Sequence, residues 1–148
     1  MLIQTLKTLF DRDLEKLSQE INAYKNEQNI WLTEDGISNS AGNLCLHLIG
    51  NLNTYIGGEI GKTGYVRNRD LEFSMKEVTR QELLTGIAGI RETVQRSLDL
   101  LQDQQLEEEY PLLVLKEKTS TGYFLVHLVV HLGYHLGQIN YLRRMLDK

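Results

Sequence analysis

The chain has 148 residues, 41% hydrophobic and 24% charged, which suits one soluble domain with one core. A formal net charge of -4 and scattered Lys and Arg argue against a broad nucleic-acid footprint. One Cys excludes an intrachain disulfide and favours a reducing cytoplasm. No signal-peptide pattern and no membrane-spanning apolar run is seen.

Helical periodicity dominates, and the lone Pro111 leaves long helices uninterrupted. The first helix is expected over 2–26, with Leu2, Leu6, Leu9, Phe10, Leu14, Leu17 and Ile21 three or four residues apart. A turn-rich connection containing Trp31 and Gly36 follows. Trp31 is expected to plug the core end, or else to line a pocket. Ser38, Asn39 or Ser40 caps a second helix over 40–60, striped by Leu44, Leu48, Leu52 and Tyr55. The Gly-rich, then charged, segment 57–74 reads as an exposed loop. Ser74 and Glu77 match a capping box and open a third helix running to about 104. The "LLVL" of residues 112–115 forms a short strand or packs across a bundle end. A fourth helix occupies 120–147, capped by Thr119, Ser120 or Thr121. Four amphipathic helices in one domain of residues 1–148 imply an all-α four-helix bundle.

The chemistry concentrates in "FLVHLVVHLGYHLGQIN", residues 124–140. It holds His127, His131 and His135, and His47 lies in a second apolar stretch; the chain has 4 His in all. Four residues return a helix to nearly the same face, so His131 and His135 stand one above the other, as a helix presents two imidazoles to one metal. Phe124, Leu128, Leu142 and Met145 flank them as core candidates. Uncompensated polar groups in such a stripe are costly, so they call for a metal, a buried network or a watery cleft. His47 would complete a three-His site with an open fourth position. His127 drifts off that face and suits a role behind the ligands, at the rim or in packing. Gln138 can orient a ligand or a water, or serve as a buried capping amide.

Rival motifs fail. "HLVVH" lacks the Glu of a HExxH protease, no His has Glu three residues before it, and no phosphate-binding glycine loop occurs. Cys45 and His47 point to different sides of a helix, so Cys45 reads as a small core residue. Gly133 and Gly137, opposite His131 and His135, would admit a close helix from the same chain or another subunit.

"HLVVHLGYHLGQINYLRRML" resembles the last-helix signature of the DinB-like metal-binding bundles, and "NSAGNLCLHLIGNLN" resembles their second-helix segment. "RNRDLEF" (67–73) is similar to the stretch before helix three in one DinB-like branch. The resemblance covers about the whole chain. It implies an up-down-down-up four-helix bundle, a divalent metal, zinc or nickel, on His47, His131 and His135, and a homodimer. Characterised members of the resembled family include transferases and isomerases that use thiols such as bacillithiol or mycothiol. The family pattern often has Arg or another polar residue after the last ligand, where this chain has Leu136.

Two function classes follow. One is a metal-dependent S-transferase or hydrolase acting on a small thiol or other small molecule, with Gln138, Asn51 or Tyr55 as orienting groups. Asn51 and Tyr55 read better as a core-edge amide and a packed aromatic. The other is a non-catalytic binding or stress-related bundle with a structural or vestigial metal. It is motivated by the lack of any Glu that the sequence places beside the ligands.

Overall fold

The structure, a computed structural model, describes residues 1–148. It is all-helical: α1 (Leu2–Ala23), α2 (Ala41–Leu52), α3 (Arg69–Ser74), α4 (Arg80–Leu98) and α5 (Thr121–Leu146). Two short 3-10 turns, Glu27–Trp31 and Asp103–Glu107, lie in the connections. No helix is long and apolar enough to cross a membrane.

Each long helix follows from its apolar spacing. Leu6, Phe10, Leu14, Leu17 and Ile21 of α1 are buried, as are Leu83, Ile87, Ile90, Val94 and Leu98 of α4. α1 and α2 each pack against both α4 and α5 and barely touch one another, so they occupy opposite corners. The four long helices enclose one core of 26 buried hydrophobic residues.

Several expected boundaries shift, each for a local reason. α1 ends at Ala23 because Tyr24 turns extended and the Asp147 carboxylate accepts the Lys25 and Asn26 amides at 2.6 and 3.1 Å. α2 opens at Ser40, whose Oγ accepts from the Asn43 amide at 3.1 Å. It runs on as a π-helical turn over Asn53–Gly58. The capping box of α4 is Thr79 and Glu82, not Ser74 and Glu77. Both pairs fit the pattern, but the carbonyls of Glu72 and Met75 are held by the buried Asn43 amide at 2.9 and 2.8 Å, and Met75 is extended. α4 stops at Leu98, and Gln102 and Gln105 then cap a separate turn. Residues 112–115 form no strand; one bridge, Glu109 to Ser120, leads into α5, which Ser120 caps.

Segment 57–74 is only partly an exposed loop. Val66 is exposed, but the segment ends in α3, whose Glu72 is buried. Trp31 covers the core end by packing on Gly42, where a Cβ would come within 2.6 Å of the indole. The close helix approach that Gly133 and Gly137 would permit does not occur within the chain. A Cβ on Gly133 would meet only Asp13 Oδ2 at 3.9 Å, and one on Gly137 would meet nothing within 4 Å.

Candidate metal centre

α2 and α5 bring His47, His131 and His135 together. One ligand atom from each lies within 4.8 Å of the others. His131 Nε2 is the hub, 3.3 Å from His47 Nε2 and 3.1 Å from His135 Nε2. The ring planes of His47 and His131 each stand at 89° to that of His135, so edges converge rather than faces stack.

The outer nitrogens decide the tautomers. Gln138 Oε1, one turn after His135, accepts from His135 Nδ1 at 2.7 Å. Glu72 Oε1 accepts from His47 Nδ1 at 3.0 Å. Arg67 Nη2 also lies 3.3 Å from His47 Nδ1, but it donates to Glu72 Oε1 at the shorter 2.9 Å, and a carboxylate can only accept, so the Nδ1 hydrogen faces Glu72. The Nδ1 hydrogens of His47 and His135 are therefore engaged, and both Nε2 atoms carry bare lone pairs aimed at His131 Nε2. A hydrogen there can satisfy one of them, not both. A cation satisfies all three nitrogens, and Nε2 separations of 3.1 and 3.3 Å suit a tetrahedral ion with ligands at about 2.0–2.1 Å. The donor set therefore fits a divalent metal. His131 Nδ1 is buried with no hydrogen-bond partner, so nothing in the protein competes to fix the opposite tautomer.

Electrostatics agree. Burial, then the neighbouring His135 and His47, push the His131 imidazole down to about 4. Burial also lowers His135 against the opposing pull of Gln138. These two rings are neutral at pH 7 and free to donate lone pairs. Burial would raise the Glu72 carboxyl, but hydrogen bonds from His47 and Arg67 and the Arg67 charge outweigh it and hold Glu72 below the usual range. Burial pushes the Cys45 thiol up to about 12, so Cys45 is an inert core thiol.

Sequence reasoning missed Arg67, Glu72 and Phe73. Glu72 sits beside His47 as one arm of a buried carboxylate–histidine pair, a Glu that the sequence alone did not place beside the ligands. Arg67 binds both its oxygens, at 2.8 and 2.9 Å. Phe73 packs its ring 5.0 Å from His47. Gly50, one turn after His47, makes room: a Cβ there would fall 2.0 Å from Glu72 Oε2. The available signal was Asn68 as a cap before Leu71, since its side chain accepts from the Leu71 amide at 3.3 Å and starts α3.

The other candidates lie further out. His127 stacks between Phe124 and His131, at 5.9 and 6.4 Å, and gives no nitrogen to the cluster. Asn51 Oδ1 is buried without a partner, and Asn51 bonds none of the histidines. Tyr55 packs edge-on to Phe124, and Arg67 lies over its ring at 5.7 Å, so it adjoins the site through Arg67. Phe124, Leu128 and Leu142 are core, but Met145 is exposed at the rim of a cavity of about 650 Å³ that His135 and Gln138 also line.

No curated protein matches the chain. A family model described as "Protein of unknown function (DUF1572)" matches residues 1–148, and that family is a DinB-like relative. The match spans the whole length given, and the chain belongs to the DUF1572 family.

Proposed function

We propose that this protein is a divalent-metal enzyme, a metal-dependent S-transferase or hydrolase, with zinc or nickel on His47, His131 and His135. The carrying observation is the convergence of three Nε2 atoms, two of them with lone pairs fixed by Glu72 and Gln138. When bound there, the ion would acidify a coordinated thiol or water at neutral pH. The residues do the rest. Glu72 and Gln138 hold two rings in register, Arg67 keeps Glu72 ionised, and burial keeps His131 unprotonated. Both Glu72 oxygens are occupied, so no carboxylate at the site is free to take a proton from water. That favours thiol transfer, in which an acidified thiol needs no separate base.

The reading extends to an up-down-down-up bundle in a cytoplasmic homodimer that binds neither nucleic acid nor membrane. The exposed Tyr123, Val126 and Val130 along α5 support a dimer face. The single buried Cys45 suits a reducing compartment.

A structural metal in a non-catalytic bundle is the second reading, favoured by the same full engagement of Glu72. Metal content of tag-free protein and cobalt spectroscopy separate the two. The enzyme reading expects one ion per chain, lost in His131→Ala, and a sulfur-to-cobalt charge-transfer band when a small thiol is added. One ion per chain with a cobalt spectrum indifferent to thiol would leave the structural reading. No ion after incubation with zinc or nickel would remove both.

A further inference from the structure

The cavity beside His135 has a character that the metal alone does not explain. It measures about 650 Å³, within the range of small-molecule sites. One wall is the segment around Ile37 and Ser38, and the other is the last three turns of α5. Its apolar lining comes from Ile37, Leu44, Tyr134, Tyr141, Leu142 and Met145. The polar lining comes from Ser38, Asn39, His135 and Gln138. No Lys, Arg, Asp or Glu lines it.

A separate groove beyond Gly137 and Tyr141 contains Arg12, Asp13, Lys16 and Glu20, and the exposed Arg144 guanidinium lies over the Tyr141 ring at 5.6 Å without lining the cavity. There Arg12 is paired with Asp13 at 2.8 Å and Glu20 with Arg143 at 2.6 Å. A ligand bearing a carboxylate or an ammonium group would lose hydration on entering the cavity and find no opposite charge among the lining side chains. An uncharged ligand has no such cost, and its flat apolar body meets two tyrosines.

We infer that this cavity binds an uncharged, aromatic-bearing small molecule and delivers its polar end past Gln138 and His135 to the metal centre. The inference rests on the metal-enzyme reading only for its second half. Gln138 joins the two regions, because it lines the cavity while its Oε1 holds His135 Nδ1. The substrate class is thus a neutral arylalkyl thiol or a neutral aromatic electrophile. A thiol rich in carboxylates is excluded from this cavity.

The test uses three probes with one aromatic body: 2-naphthylmethanol, 2-naphthoate and 2-naphthylmethylamine. Amide shifts are followed by NMR in full-length His131→Ala protein, where a carboxylate has no three-His metal to bind. The neutral probe should bind at least tenfold more tightly than either charged one and shift the amides of Ile37, Ser38, Tyr134 and Tyr141. Met145→Lys on the same background changes an exposed residue, and should raise affinity for 2-naphthoate over the neutral probe. Equal affinities, or shifts confined to other surfaces, would overturn the inference.

The second half is read in zinc-loaded wild type, where 2-naphthylmethanethiol should bind at least tenfold more tightly than the alcohol. Equal binding of thiol and alcohol would overturn delivery to the metal. Failure of the metal reading appears separately, as wild type that takes up no zinc, and leaves the probe ranking in His131→Ala unaffected.

Discussion

Glu72 Oε1 accepts the Nδ1 hydrogen of His47 at 3.0 Å, joining two residues 25 positions apart in sequence. The pair is buried, and Arg67 closes it from the far side. A carboxylate in this position fixes the imidazole tautomer and raises its basicity as a ligand. Glu72→Gln should therefore weaken zinc binding by about 10- to 100-fold while leaving about one site per chain. Competition against a chromophoric chelator measures this. Unchanged affinity would show that the tautomer is fixed some other way.

Gly50 tests the same arrangement from the backbone side. Its missing Cβ is what lets Glu72 Oε2 lie against α2, with only 2.0 Å available. Gly50→Ala should push the carboxylate off His47 and cost about 1–3 kcal/mol in stability, as overpacking commonly does. Zinc affinity should fall about as far as in Glu72→Gln, and the double variant should be little worse than either single one. Additive losses would mean that Gly50 and Glu72 act independently.

Acid should destabilise the metal-free protein. Folding lowers the affinity of His131 and His135 for protons, so below the ordinary histidine value of 6.5 the unfolded chain binds more protons than the folded one. Stability is then fully present above about pH 6.5 and declines as the pH falls toward about 4, where His131 titrates in the fold. The depressed Glu72 adds a loss of the same sign at still lower pH. Thermal unfolding from pH 7.5 to 4 measures the slope, and His131→Leu should flatten it. An unchanged slope in that variant would assign the acid sensitivity to other groups.

Metal should stabilise wild type by mass action. At a free zinc concentration about 100 times the dissociation constant, the gain is about 2.7 kcal/mol, or roughly 5–10 °C in melting temperature. EDTA should reverse it, and His131→Ala should show none of it. A comparable zinc-dependent shift in His131→Ala would place the ion elsewhere.

Gln138 should prove asymmetric to Glu72. It holds the other ligand, His135, with a neutral carbonyl at 2.7 Å. Gln138→Leu removes the acceptor but leaves no buried charge behind, so its effect on zinc affinity should be smaller than that of Glu72→Ala. Glu72→Ala also strands the Arg67 guanidinium. Chelator competition on the two variants ranks them, and the reverse order would contradict the neutral role assigned to Gln138.

Much of this molecule was legible in one dimension, because the relevant interactions are local. Spacings of three and four put Leu6, Phe10, Leu14, Leu17 and Ile21 on one side of a helix whatever packs against it. The same rule stacks His131 over His135 and brings Gln138 to His135 three residues later, so half of the centre is written within eight residues of α5. What tertiary structure alone decided is the other half. Arg67 and Glu72 lie in a short charged segment with no amphipathic stripe. They reach His47 only because Asn43 grips the carbonyls of Glu72 and Met75 and Gly50 leaves a gap beside them. The choice of Thr79 over Ser74 as the cap of α4 has the same origin, since two equivalent local signals were separated by a long-range hydrogen bond. Periodicity records which face of a helix is buried; it carries no record of which distant carboxylate the fold will place against that face.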